Sequence, residues 1–142
     1  MAAEDEVRDA STKFYAALNS MTDGSAAPMT KIWSHGPVTA LHPIGGRQVG
    51  WDEVRGSFEQ VAGLATGGHI ELRDQRIQAL GDDGAYEVGV EYGQAKLAGE
   101  NIAIEQRVTN IYRREPDGWK VVHHLTDISP AMVDMLSRLR AA

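Results

Sequence analysis

Apolar residues recur at three- and four-residue steps over the first twenty positions: Val7, Ala10, Phe14, Leu18 and Met21. That spacing predicts a helix over residues 4–20 with one face on a core. Glu4, Asp5 and Glu6 stand in its first turn, where acids suit the positive end of the helix dipole. Asp23-Gly24-Ser25 interrupts the pattern, and Pro28 opens a short second helix carrying Met29, Ile32 and Trp33. Residues 37–43 are β-favouring and bounded by prolines, after which Gly45-Gly46 turns the chain. A second stripe (Trp51, Val54, Phe58, Val61 and Ala65) predicts a third helix, ended by Gly67-Gly68.

From residue 69 the pattern is that of a sheet. Residues 69–80, 85–97, 101–115 and 119–128 read as long strands, separated by Gly81-Asp82-Asp83-Gly84, Ala98-Gly99-Glu100 and Pro116-Asp117. Ser129-Pro130 then opens a last short helix. Four strands joined by tight turns are antiparallel neighbours, and the helices before them cover one face. The expected architecture is α+β in the order α-α-β-α-β-β-β-β-α, with one domain over residues 1–142.

The turns also propose a register. A two-residue loop at Pro116-Asp117 sets Tyr112 opposite Val121, Asn110 opposite His123 and Val108 opposite Leu125, all on one face. A three-residue loop at Ala98-Gly99-Glu100 brings Val88, Val90 and Tyr92 to that same face and sets Glu91 opposite Arg107 behind it. Asn110 and His123 are then polar residues among apolar ones. They are either a hydrogen-bonded pair in a closed core or groups that address a ligand in a cavity.

Composition narrows the function classes. The 142 residues are 42% apolar and 24% charged, ordinary values for a globular chain. A net charge of −6 without a basic cluster argues against nucleic-acid binding. There is no cysteine, hence no disulfide, thiolate metal site or cysteine nucleophile. No apolar run is long enough for a membrane span, and the acidic start is unlike a secretory signal, so a cytoplasmic protein is expected. His35, His42, His123 and Asp127 show no metal-ligand spacing, and no phosphate loop or nucleophile elbow is present. Neither a metal nor a cofactor is expected.

Residues 33–58 (WSHGPVTALHPIGGRQVGWDEVRGSF) and the later stretch VTNIYRREPDGWKVVHHLTDISPAM resemble the SnoaL-like branch of the NTF2-like superfamily. The resemblance implies a cone in which a curved sheet and packed helices enclose a pocket. It also implies a homodimer through the outer face of the sheet, where Thr109, Ile111, Val122 and Ile128 are expected. Ketosteroid isomerases of the superfamily carry a carboxylate base before a Pro-x-Gly turn. His42 holds that place in this chain, Tyr15 lies near their oxyanion-stabilising tyrosine, and Asn110 replaces their protonated aspartic acid. Many relatives show His-x-His in the last strand, where this chain has His123 and Leu125.

The expected catalytic set is therefore His42, Tyr15, Asn110 and His123. The expected pocket lining is Trp33, Phe58, Val88, Tyr92, Val108, Tyr112 and Leu125. The implied function is binding of a small, mainly apolar, oxygen-bearing molecule, with proton-transfer chemistry of the isomerase, cyclase or dehydratase type if the protein is an enzyme. The alternative is a non-catalytic domain for ligand sensing or oligomerisation. The superfamily hosts many activities, so the resemblance fixes fold more firmly than function.

Overall fold

A computed structural model describes residues 2–141. Helix α1 (Ala3–Thr22) buries the expected stripe, with Val7 and Phe14 fully enclosed. Helix α2 (Met29–Ile32) follows, then strands β1 (Ala40–Ile44) and β2 (Gln48–Val49), and helix α3 (Trp51–Leu64). Strands β3 (Ala65–Leu80), β4 (Gly84–Leu97), β5 (Glu100–Glu115) and β6 (Gly118–Ile128) come next, and helix α4 (Pro130–Ala141) ends the chain. The six strands form one curved sheet in the order β2-β1-β6-β5-β4-β3, with β1 parallel to β6 and the other pairs antiparallel. The α+β architecture matches the expectation. The two-residue β2 is an addition, and α3 runs straight into β3, so Gly67-Gly68 lies inside a strand rather than ending a helix.

The helices are fastened to the concave face by polar contacts as well as packing. Strand β3 is an edge, and Asn19 of α1 closes part of it: its amide donates to the Ile70 carbonyl at 2.9 Å and accepts the Ile70 N–H at 2.8 Å. That reciprocal pair mimics a strand neighbour and fixes the depth at which Tyr15, one turn earlier, enters the sheet.

Two features of the sheet overturn the proposed register. The loop between β4 and β5 holds two residues, not three: Leu97 pairs with Glu100, and Ala98 and Gly99 both have positive φ, 52° and 82°. A two-residue turn of that kind usually carries Asn, Asp or Gly at its first position, so Ala98 disguised it. The one-residue difference sends every side chain of β4 to the other face. Val88, Val90 and Tyr92 therefore lie on the outer face, with Tyr92 beneath the Arg73 guanidinium, and Arg107 pairs with Val90 rather than Glu91. The inner stripe is Ala85, Glu87, Glu91, Ala95 and Leu97, all buried.

The second feature is a bulge in β6. Tyr112 pairs with Val121 as expected, but Ile111 pairs with His123 and Asn110 with His124, leaving Val122 as the extra residue. Past the bulge the alternation is inverted. His124 is buried at 5% exposure and faces inward, whereas His123 and Leu125 face outward, Leu125 at 44% exposure. A further bulge, around Asp74 (φ 55°) in β3, turns Gln75 toward the interior.

Candidate functional site

The concave face of the sheet holds a buried polar cluster supplied by every layer of the fold. Strand β4 contributes Glu87 and Glu91, at 0% and 1% exposure, and four residues apart on one strand they share a face. Strand β5 contributes Gln106, Asn110 and Tyr112, β6 contributes His124, β3 contributes Gln75, and α1 contributes Ser11 and Tyr15.

Hydrogen bonds connect them completely. The Tyr15 hydroxyl donates to Glu91 Oε2 at 2.8 Å, and the Gln106 amide donates to Glu91 Oε1 at 2.8 Å. Glu87 accepts from Tyr112 Oη at 2.8 Å, Asn110 Nδ2 at 3.0 Å and Gln75 Nε2 at 2.6 Å. Asn110 Nδ2 also donates to the Tyr15 oxygen at 3.1 Å, while Asn110 Oδ1 lies 2.6 Å from His124 Nδ1. His124 Nε2 stands 3.9 Å from Glu91 Oε2, beyond hydrogen-bond distance. An amide oxygen only accepts, so Nδ1 carries the proton of neutral His124 and Nε2 keeps its lone pair.

Burial sets the electrostatics. It pushes the His124 imidazole below its ordinary value of 6.5, against the opposing pull of Glu91 and Glu87. Burial first, then the nearby carboxylates, holds the Tyr15 and Tyr112 hydroxyls far above the usual phenol range, so both remain donors. The His124 shift has a consequence for stability. Below about pH 6.5 the unfolded chain takes up a proton that folded His124 refuses. Its contribution is complete above that pH and is lost as pH falls toward the folded value, by up to about 1.4 kcal/mol per pH unit. The urea midpoint is expected to drop between pH 7.5 and 5.5, and less so in His124→Gln. An equal drop in both proteins would show that His124 is not responsible.

Beside this cluster lies a cavity of about 110 Å³. Phe14, Leu18, Leu41, Phe58, Ala95 and Met132 make most of its wall apolar, and Glu91, Gln106 and His124 form a polar end. Met132 and Leu136 of helix α4, with Ser129 just before it, close one side.

The expected residues divide accordingly. Tyr15 and Asn110 meet in the cluster, 3.1 Å apart. His42 and His123 do not join them. In the parallel pairing of β1 with β6, Leu41 pairs with the inward His124, so His42 points to the outer face. There its ring meets that of His123, with centroids 5.1 Å apart, and burial followed by the charges of His42 and His124 lowers the His123 pKa. Of the seven expected lining residues, Phe58 borders the cavity. Trp33, Val108 and Tyr112 are buried in the surrounding core, Trp33 packed on Phe58 at 5.3 Å between ring centroids. Val88, Tyr92 and Leu125 lie outside.

Glu87, Glu91, Gln106 and His124 were missed. The signal that could have found them is parity: in β4 the more apolar set (Tyr86, Val88, Val90, Tyr92) faces out, and the set of small and acidic residues faces in. No group of three or more potential metal ligands occurs among the described residues, and no described helix is long and apolar enough to cross a bilayer.

Comparison with known proteins locates this fold. The family described as the SnoaL-like domain matches residues 7–131. Among solved structures, the chain is similar to a proposed dehydratase of the NTF2-like family from Streptomyces avermitilis (24% identity, 89% of this chain and 95% of that one, TM-score 0.76). It is also similar to an NTF2-like superfamily protein from Salmonella enterica serovar Typhimurium (15% identity, 87% and 89% coverage, TM-score 0.77). A third is a protein with a cystatin-like fold from Caulobacter vibrioides (14% identity, 96% of both chains, TM-score 0.71). At these identities the likeness is one of fold. No curated protein matches the chain at a significant level.

Proposed function

The chain belongs to the SnoaL-like family, and from that premise we propose that its interior cavity binds a small, mainly apolar carbonyl compound and transfers a proton beside the carbonyl. The observation that carries this reading is the place of His124 Nε2, 3.9 Å from Glu91 Oε2 and, among the described residues, without a hydrogen-bond donor facing it, at the polar end of a mainly apolar cavity. A core built for stability alone gains nothing from two buried carboxylates with no buried lysine or arginine beside them. Perturbed titratable groups gathered at a cavity are the usual mark of a site.

In this reading neutral His124 takes the proton from the carbon next to the carbonyl. The electron pair moves onto the carbonyl oxygen, and the imidazolium so formed is stabilised by Glu91. The second amide hydrogen of Gln106, which has no protein acceptor among the described residues, is the donor available to the oxygen. Return of the proton to the same carbon gives exchange, and to a conjugated carbon gives isomerisation. Tyr15 and Asn110 keep a part in the site, but as partners of Glu91 and His124. His42 and His123 have none.

Volume limits the ligand. An apolar cavity of about 150 Å³ accommodates benzene, so 110 Å³ suits one small ring or a short chain and excludes a steroid. The test is deuterium uptake from D₂O into cyclopentanone, followed by proton NMR. The protein is expected to accelerate uptake, and Ala95→Leu, which grows three carbons into the cavity, to abolish the acceleration. Equal acceleration by both would place the chemistry outside the cavity. Ketone binding without acceleration would support the non-catalytic, ligand-sensing alternative.

We further propose a homodimer through the outer face of the sheet, supported by exposed Tyr86, Tyr92, Ile111 and Leu125 on neighbouring strands. A monomeric mass in solution at micromolar concentration would contradict it.

A further inference from the structure

We propose that Glu87 is a positioning residue, which orients the Asn110 amide and through it holds the His124 proton on Nδ1, leaving Nε2 as the base. This rests on the reading of His124 as the base but concerns a different atom and a different observable. Glu87 is fully buried, does not border the cavity and is joined to His124 through Asn110 rather than by a hydrogen bond of its own, so the proposed chemistry gives it no direct task.

The direction of each hydrogen bond follows from groups that have no choice. At the surface the Arg8 guanidinium, which can only donate, reaches Gln75 Oε1 at 2.6 Å. That turns Gln75 Nε2 inward, where it donates to Glu87 Oε2 at 2.6 Å and to Ser11 Oγ at 3.2 Å. The other Glu87 oxygen then receives Tyr112 Oη and Asn110 Nδ2. A carboxylate only accepts, so the NH₂ side of Asn110 must face Glu87 and its oxygen must face the other way, onto His124 Nδ1. The imidazole can satisfy that oxygen only by carrying its proton on Nδ1. An unconstrained histidine prefers the opposite tautomer, with the proton on Nε2. In that form the nitrogen nearest Glu91 and the cavity would be a donor, without a lone pair to accept a proton. A rotated Asn110 would produce it, and Glu87, with the Tyr15 oxygen as a second and longer-range acceptor of the same NH₂ group, forbids the rotation.

The experiment is a long-range ¹H–¹⁵N correlation spectrum of the histidine-labelled protein near pH 7.5, with the His124 signals assigned by their loss in His124→Gln. The wild-type protein is expected to show the Nδ1–H form of His124 in about ten-fold excess or more, a ratio one hydrogen bond sustains. Glu87→Ala is expected to bring the Nε2–H form to comparable or greater population. Tyr112→Phe also strips a hydrogen bond from Glu87 but leaves its contact with Asn110, and is expected to keep the wild-type tautomer. Should Glu87→Ala not fold, the near-isosteric Glu87→Gln takes its place, since an amide gives up one of the two acceptor positions. A wild-type proton on Nε2, or an unchanged Nδ1–H form in the folded Glu87 variant, would overturn the proposal. Failure of the ketone test with the tautomers as expected would remove the proposed reaction and leave this assignment standing.

Discussion

Replacement of His124 by alanine is expected to lower ketone exchange by about 10²–10⁴-fold, the usual contribution of a general base, while His42→Ala and His123→Ala leave it at the wild-type rate. The three histidines are close in space and differ in the side of the sheet they occupy. His124 is buried and borders the cavity. The rings of His42 and His123 meet on the outer face, separated from the cavity by the backbone of β1 and β6. The exchange rate with cyclopentanone, measured for each variant after its fold is checked by circular dichroism, separates them. Loss of exchange in His42→Ala with retention in His124→Ala would reverse the assignment and restore the base position that the family resemblance implies.

The second large effect is structural. Gly93→Ala is expected to destabilise the protein by about 3–5 kcal/mol, a substantial part of a typical stability of 5–15 kcal/mol. Gly93 sits in β4 at φ 152°, and a Cβ there would collide with the His69 carbonyl oxygen and lie 2.9 Å from its carbon. These are backbone atoms of β3 and cannot turn aside as a side chain would. The two strands must separate where Ile70, the partner of Gly93, meets Asn19, which loosens the seat of Tyr15 as well. Gly63→Ala is the control. It is exposed in α3 with nothing within 4 Å of its would-be Cβ, and is expected to stabilise slightly, by about 0.5–1 kcal/mol. Chemical denaturation of the two variants measures both. Similar midpoints would show that the β3–β4 approach is not constrained as described.

The elements of this fold were legible because its helices are amphipathic and its strands are long and punctuated. The Val7–Met21 stripe and the Pro116-Asp117 turn gave α1 and the start of the β5–β6 pairing correctly, down to Tyr112 opposite Val121. What failed was parity, at two single residues. Val122 carries no mark of a bulge, since valine is an ordinary strand residue, yet it exchanges the places of His123 and His124. Ala98 carries no mark of a tight turn, yet its positive φ shortens the loop and exchanges Val88, Val90 and Tyr92 for Glu87 and Glu91.

Choosing the more apolar parity of β4 as the interior was reasonable for a sheet with one solvated face. It fails where the interior holds a polar cluster and the outer face is itself apolar. Hence Tyr15 and Asn110, whose inward direction was read correctly, lie in the buried cluster as expected, whereas the same reading turned Glu91 and His124 outward.

All of the chemistry above depends on β6 turning over at Val122. Nuclear Overhauser contacts from the Phe14 ring to the two adjacent histidines read that most directly, because the Phe14 and His124 ring centroids are 5.3 Å apart. Strong contacts from Phe14 to His124 and none to His123 are expected. Contacts to His123 instead would show unbroken alternation along β6 and would put His124 on the outer face, away from Asn110 and Glu91.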